Sequence, residues 1–170
     1  DARDTLLGRI DALDIHTTPK KNALDSYNQA MAQYAPDTPK IGTHSGTFHC
    51  DEVLAVAMVK HFLPEYENAA IVRTRDNAVI GEMTIVVDVG KKHEHQNLRY
   101  DHHQFDDNNP VDEYYYSQRP EHQVTYMSSS GLIWKHYGDR MIRFILENFC
   151  SDFYHNLSEK SIQQLRLQIY

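Results

Sequence analysis

The pattern of apolar and polar positions along the chain predicts strands that alternate with helices. Residues 69–74 and 84–90 have the apolar, β-forming composition of buried strands, and residues 40–44 and 98–100 are short candidate strands. Apolar residues recur at helical spacing over residues 23–34, 51–63, 129–149 and 158–170, and Gly138 is a candidate break in the third of these helices. This order is typical of an α/β protein with a mostly parallel sheet flanked by helices.

The chain divides into an extension and one predicted domain. Residues 1–39 are predicted to be an N-terminal extension with a short helix, which Pro36 and Pro39 separate from the first strand. Residues 40–170 form the predicted domain, in which the polar residues 104–124 are expected to be a long loop. The sequence has no apolar run near the roughly 18 residues that a membrane span needs, so we expect no membrane partner.

The composition of the chain limits which classes of function are compatible with it. Lys and Arg total 17 against 24 Asp and Glu, which gives a net charge of −7. A protein that binds nucleic acid through its overall field would be basic, so such binding here needs a local patch or bound metal ions. Two cysteines cannot form a disulfide framework, which favours an intracellular, reducing compartment. Histidine is unusually frequent, with 11 copies, so the positions of these residues are informative.

Carboxylate and imidazole side chains follow three of the predicted strands. They are His44, His49 and Asp51 after the first strand, Asp88 within the third, and Asp101, His102 and His103 after the fourth. Because the carboxyl ends of parallel strands meet at one edge of a sheet, we expect these side chains to converge. Mixed carboxylate and imidazole ligands favour Mn²⁺, with Mg²⁺ as the alternative. The sequence therefore predicts a site for two divalent ions, with Asp88 well placed to bridge them.

Several of these residues also have plain structural interpretations. Asp51 begins a helix, where an acid is favoured by the dipole, and Asp88 could cap the next turn. His49 and Cys50 are compatible with a nucleophile pair, but the sequence indicates no group to orient it. Residues 128–131 could bind phosphate at a helix N-terminus or simply cap the helix. We expect His93 and His95 in a solvated loop and His61 on a helix surface. We assign no role to His122, His136 and His155, which lie in the helical half of the chain.

Five ordered segments of the chain resemble one known family. The segments are Gly42 to Glu52, Ile71 to Asp76, Ile85 to Gly90, Arg99 to Gln104 and Ser129 to Trp134. Together they resemble the blocks of the melanocyte-proliferating-gene protein family, which belongs to the DHH phosphoesterases. The resemblance covers roughly residues 40–150 and implies a DHH-phosphoesterase-like catalytic domain.

The resemblance also implies roles for individual residues. It makes His44, His49 and Asp51 metal ligands of the first motif, Asp88 the bridging carboxylate and His102 a further ligand. It places Asp101 behind the ligands and His103 against the substrate phosphate. The superfamily usually has an aspartate where His49 stands. It also needs a downstream aspartate that this chain lacks before Tyr170, so the resemblance implies an amino-terminal half with an incomplete site; Asp11 and Asp14 resemble that acidic segment only faintly.

Three functions are compatible with these observations. The leading hypothesis is a Mn²⁺-dependent 3′–5′ RNA exonuclease acting on single-stranded RNA or another phosphodiester, located in the mitochondrion or nucleus, as the resemblance implies. The same pair of ions would serve a small-substrate phosphohydrolase acting on pyrophosphate or a cyclic dinucleotide. A non-catalytic metal-binding module is the third hypothesis, and the missing aspartate favours it.

Overall fold

The protein forms a six-stranded sheet flanked by helices in the computed structural model, which describes residues 12–14, 20–104, 127–154 and 157–169. The strands are β1 (Ala12–Asp14), β2 (Lys40–Thr43), β3 (Ala70–Arg73), β4 (Ile85–Val87), β5 (His93–Glu94) and β6 (Arg99–Tyr100). Their spatial order is β1-β3-β2-β4-β6-β5, and all neighbours are parallel except β5 and β6. The predicted α/β class with a mostly parallel sheet is confirmed.

Six helices pack around this sheet or extend from it. They are α1 (Lys20–Met31), α2 (Cys50–Phe62), α3 (Asn77–Gly81), α4 (Ser129–Phe149), α5 (Ser151–Tyr154) and α6 (Glu159–Ile169). Two short 3₁₀ helices, Pro64–Tyr66 and His95–Asn97, complete the described elements. Within the described parts of the chain, no helix is long and apolar enough to cross a bilayer.

The central strand β4 is apolar throughout because both faces of the sheet are buried there. In β4, Ile85 and Val87 face a large core that includes residues of α2, α4 and α6, such as Ile162. Val86, which points to the opposite face, belongs to a second core with residues of α1 and α3. A parallel sheet between two helical layers leaves its strand ends, rather than its faces, open for a site.

The four predicted strands form close to their expected positions, and each is shorter than expected. The third strand, predicted over residues 84–90, ends at Val87 because the backbone turns at Asp88, whose φ is 58°. Gly90 also has a positive φ of 94°, which a glycine adopts without a steric cost. The turn at residues 88–91 thereby directs the chain into β5, an edge strand that the sequence pattern did not indicate.

Gly138 does not break the long helix, contrary to the alternative considered from the sequence. Helix α4 runs without interruption through Gly138 to Phe149. A Cβ atom at this position would lie 3.2 Å from Cγ of Arg166 in α6. The glycine therefore permits a close approach of α6 to α4 rather than ending a helix.

Residues before the first predicted strand contribute to the folded sheet. Strand β1 pairs in parallel with β3 and places Asp14 in register with Arg73. Ala23 and Tyr27 of α1 are buried in the second core. Most of the predicted loop at 104–124 lies outside the described residues, as does His122, and so does His155.

His93 and His95 lie in short elements and make ring contacts, which the sequence did not indicate, although His95 is exposed as expected. The Nε2 atoms of His93 and His136 lie 3.1 Å apart, and the rings of His95 and His136 stack with centroids 3.9 Å apart. Nδ1 of His95 is 2.7 Å from the hydroxyl of Tyr100. This histidine cluster (His93, His95 and His136) forms because β5 folds back antiparallel onto β6 and meets α4.

Candidate metal centre

The residues that follow three neighbouring strands lie at one edge of the sheet. β2, β4 and β6 are adjacent and parallel, so the residues after each of them share this edge. Two groups of potential metal ligands form there, with ligand atoms in each group within 4.8 Å of one another. The first group comprises His44, His49, Glu52 and Asp88, and the second comprises Asp88, Asp101, His102 and His103. Asp88 belongs to both groups.

His44 presents an unpartnered nitrogen to this edge. The side chain is 2% exposed, and its Nδ1 lies 3.2 Å from the carbonyl oxygen of Ser45. Since a carbonyl only accepts, the proton of the neutral imidazole lies on Nδ1 and leaves a lone pair on Nε2. Nε2 has no hydrogen-bond partner among the described residues, and it lies 3.5 Å from carboxylate oxygens of both Glu52 and Asp88. This arrangement is typical of a metal-binding histidine oriented by a backbone carbonyl.

Glu52 was not singled out from the sequence, yet it lies at the centre of the first group. It is 1% exposed, and its Oε1 accepts the backbone N–H of His49 over 2.5 Å. Its Oε2 is buried without a hydrogen-bond partner in the described structure. A glutamate three residues after a helix-capping position explains the first contact, and this spacing was the signal available in the sequence.

Asp88 is buried between the two groups. Burial, and then the negative charge of Asp51, raise the pKa of Asp88; the hydroxyl of Ser129 and the neighbouring His103 and His102 offset part of the rise. A buried carboxylate near other acids is costly unless a cation compensates it. The electrostatics of this position therefore favour a bound cation.

Asp101 fixes the orientation of His103. Oδ1 of Asp101 lies 2.7 Å from Nδ1 of His103 and also accepts its backbone N–H. The second oxygen, Oδ2, accepts the backbone N–H of Lys91 over 2.6 Å. With Nδ1 engaged by the carboxylate, His103 directs Nε2 elsewhere, and 52% of its side chain is exposed.

His102 is linked to Asp88 through Ser129, the first residue of α4. The Ser129 hydroxyl donates to Oδ1 of Asp88 over 3.0 Å, so its oxygen accepts from Nδ1 of His102, also at 3.0 Å. This tautomer leaves Nε2 of His102 as the lone-pair nitrogen. Ser129 was considered from the sequence only as part of a helix cap or phosphate site.

Asp51 lies outside both ligand groups and binds the N-terminus of α4. Its carboxylate oxygens accept the backbone N–H groups of Ser129 and Ser130 over 2.8 and 2.6 Å. Nδ1 of His102 is 3.6 Å away. The side chain of Ser128 accepts the N–H of Gly131, so these backbone donors already have protein acceptors. The capping interpretation of residues 128–131 therefore replaces the phosphate-binding one.

The described residues suit a divalent cation on chemical grounds. Nε2 of His44 is buried and unpartnered and lies 3.5 Å from the carboxylate of Asp88. Glu52, whose Oε2 is also buried and unpartnered, belongs to the same group of ligands. Nitrogen and oxygen donors of this kind suit Mn²⁺, and a thiolate site is not indicated because Cys50 and Cys150 are exposed. Cys50 also belongs to neither group of potential ligands.

An open cleft of about 360 Å³ adjoins the ligand groups. Its walls include the potential ligands His44, Asp88 and His103 and the cationic residues Arg75 and Lys91. The arrangement can therefore hold cations beside a space that is large enough for part of a phosphorylated substrate.

Comparison with known proteins assigns the chain to a family. The model of MYG1_exonuc, described as uncharacterised protein family UPF0160, matches residues 40–170. The MYG1 exonuclease of Mus musculus is 47% identical over 109 residues, which cover 64% of this chain and 27% of the mouse protein. The MYG1 protein C27H6.8 of Caenorhabditis elegans is 39% identical over 138 residues, which cover 75% of this chain and 38% of the nematode protein.

The match spans only part of each relative. The chain spans 27% of the length of the mouse protein and 28% of the human MYG1 exonuclease, to which it is 46% identical. No solved structure matches the chain. Because the family model covers most of the sequence and includes all three strand ends of the site, the chain belongs to the MYG1_exonuc family, UPF0160.

Proposed function

We propose that the protein is a metal-dependent phosphoesterase that hydrolyses phosphodiester bonds of RNA with two Mn²⁺ ions. The observation that carries this proposal is the position of Asp88, which is shared by two groups of ligands. A carboxylate common to two ligand sets is the usual way to hold a pair of ions for phosphoryl transfer. The similarity to proteins named MYG1 exonuclease supports the same reaction class.

The residues of the site divide into ligands and groups that face the substrate. In the proposal, one ion is held by Nε2 of His44 together with the side chains of His49, Glu52 and Asp88. The second ion is held by Asp88 and His102. Bound ions of this kind supply an activated water and neutralise charge on a phosphoryl group. His103 is oriented by Asp101, which accepts from its Nδ1, and it is exposed to the cleft. In the proposal His103 acts as the imidazolium, which donates from Nε2 to a phosphate oxygen and stabilises developing charge.

The proposal is tested by comparing metal binding and hydrolysis in the same variants. Calorimetric titration with Mn²⁺ and hydrolysis of bis(p-nitrophenyl) phosphate are measured for the wild-type protein and for Asp88→Asn. We expect Asp88→Asn to weaken Mn²⁺ binding by at least about 100-fold and to abolish metal-dependent hydrolysis. The matched control is His61→Asn, which removes an exposed imidazole from α2 outside both ligand groups.

Retained hydrolysis in Asp88→Asn would overturn the proposal. Mn²⁺ binding without hydrolysis by the intact protein would favour the metal-binding module instead. A turnover comparison of short RNA, pyrophosphate and a cyclic dinucleotide separates the proposed substrate from the small-substrate alternative. Location in the mitochondrion or nucleus stays a prediction from the family resemblance.

A further inference from the structure

Two adjoining cavities form a trough that leads away from the metal centre. The first is the cleft of about 360 Å³ beside Asp88, and the second has a volume of about 420 Å³. They share four wall residues, Asn77, Ile80, Val89 and Gly90, so the second continues the first. The trough therefore offers more space than one phosphate group requires.

Cationic side chains line the trough along its length. Arg75 and Lys91 line the first cavity, and Lys92 and Arg99 line the second. No carboxylate of the described residues lines the second cavity, although the whole chain carries a net charge of −7. A local excess of positive charge on an acidic protein indicates a polyanionic ligand at that place.

The four cations differ in how free they are to bind a ligand. The guanidinium of Arg99 donates to the carbonyl oxygens of Met83 and Asn97, and Glu94 lies near it, so Arg99 contributes charge more than hydrogen bonds. Arg75 uses Nε to bind the carbonyl of Ser45 and is otherwise exposed. Lys91 and Lys92 are exposed on consecutive residues, and their backbone groups are fixed by bonds to Asp101.

The apolar part of the wall discriminates between ligands. Ile80 and Val89 line both cavities, and the Asn77 side chain adds an amide. Pyrophosphate offers nothing to an apolar wall, whereas the sugar and base of a nucleotide bury apolar surface while their phosphates meet cations. The second cavity would also have no role for a ligand that ends beside Asp88.

We propose that Arg75, Lys91 and Lys92 form a track for the phosphodiester backbone of a single-stranded nucleic acid whose reacting phosphate lies at Asp88. The inference rests on the proposed phosphoesterase function and adds the path of the nucleic acid and the residues that position it. The nucleic acid leaves the metal centre along the trough. Its phosphates beyond the reacting one contact Lys91 and then Lys92. These lysines are positioning residues, since they contact the strand beyond the reacting phosphate.

The test measures binding of a labelled oligouridylate of about ten nucleotides, a length within the 4–16 that single-strand sites cover. Fluorescence anisotropy with the intact protein is recorded over a series of salt concentrations for wild type, Lys91→Gln, Lys92→Gln and the double variant. We expect the slope of log K against log salt to fall by about 0.7 for each lysine removed, and the double variant to bind about tenfold more weakly. Lys160→Gln, which removes one exposed charge from α6, should change neither quantity.

Hydrolysis of bis(p-nitrophenyl) phosphate, which cannot reach along the trough, separates this inference from the proposed function. Salt slopes that fall while this hydrolysis is unchanged support the track. Slopes that fall in a protein with no hydrolytic activity also support the track and overturn only the proposed reaction. Unchanged slopes overturn the track, as would an equal rise in KM for pyrophosphate and for oligouridylate in the double variant.

Discussion

The carboxylate of Asp51 accepts the backbone N–H of Ser130 over 2.6 Å and so joins the start of α2 to the start of α4. The adjacent N–H of Ser129 binds the same carboxylate, and the Ser129 hydroxyl binds Asp88. Asp51, which follows β2, thereby fixes the start of α4. That helix carries Ser129, whose hydroxyl binds Asp88. Burial alone would raise the pKa of Asp51, but the backbone and side-chain donors of Ser130, together with Ser128 and Ser129, lower it overall.

Replacing Asp51 by alanine should destabilise the metal-free protein by about 1–2 kcal/mol. The substitution removes a carboxylate from a helix N-terminus and leaves two backbone N–H groups without their acceptor. Urea unfolding at neutral pH, in the presence of a chelator, measures the change in the free energy of unfolding. Glu147→Ala, an exposed carboxylate on the same helix, is the control and should change stability by no more than about 0.5 kcal/mol. Equal stabilities of the two variants would contradict the role given to Asp51.

Asp88→Asn should have opposite effects on stability without and with Mn²⁺. In the metal-free protein Asp88 is buried and its pKa is raised, so the ionised form that prevails at neutral pH opposes folding. Asparagine keeps an oxygen for the Ser129 hydroxyl and removes the charge. The variant should therefore be more stable than wild type by about 1 kcal/mol in chelator.

Added Mn²⁺ should reverse that order, because it stabilises only the protein that binds it. At a concentration 100 times the dissociation constant, wild type should gain about 2.7 kcal/mol and the variant little. Thermal unfolding with and without Mn²⁺ measures both effects. A variant that is less stable than wild type in chelator would show that Asp88 is paired by protein groups alone.

The edge of the sheet that carries the site could be predicted from the sequence. The carboxyl ends of parallel strands lie at the same edge whatever the order of the strands in the sheet. Apolar runs identify β2, β3 and β4, and polar residues directly after β2, β4 and β6 identify the site. The sequence could not assign partners across long separations. Asp51 and Ser130 are 79 positions apart, and only the packing of α4 beside α2 reveals their bond.

Glu52 and the histidine cluster were missed for different physical reasons. Glu52 has the spacing of an ordinary helix cap, and its burial beside His44 depends on how α2 docks against the sheet. His93 and His95 lie in a polar segment whose pairing is set by the turn at residues 88–91. Positive φ at Asp88 and at Lys91, neither of which is glycine, is not indicated by local sequence preference.

The histidine cluster should make the protein less stable as pH falls from about 6.5 to about 4. Burial, followed by the charges of His95 and His93, lowers the pKa of His136 from 6.5 to about 4. The unfolded chain therefore binds a proton in this range before the folded protein does, so stability is complete above pH 6.5 and is lost on acidification. The charged groups facing His136 also include Lys135 and Arg166, and the ring of Tyr100 lies 5.6 Å from its ring.

Urea unfolding of wild type and His136→Phe at several pH values measures this contribution. Because His136 is partly exposed, solvent screening reduces the effect to about 1–2 kcal/mol between pH 6.5 and 4. The variant should lose less stability than wild type over the same range, while His61→Phe, at an exposed position, should follow wild type. Parallel pH profiles for wild type and His136→Phe would contradict the low pKa of this residue.

Gly42 should tolerate no side chain, because β2 passes close to Met83 at this point. A Cβ atom at Gly42 would lie 2.6 Å from Cγ of Met83, which is 3% exposed and belongs to the second core. Gly42→Ala should therefore destabilise the protein by about 1–3 kcal/mol through overpacking. Gly81→Ala is the matched control, since a Cβ there meets nothing within 4 Å, and it should leave stability unchanged or raise it.

If the clash is the cause, Gly42→Ala should cost less in a Met83→Ala background than in wild type, and a double-mutant cycle of unfolding free energies measures that coupling. Additive effects would show that alanine at Gly42 acts through the backbone and not through Met83.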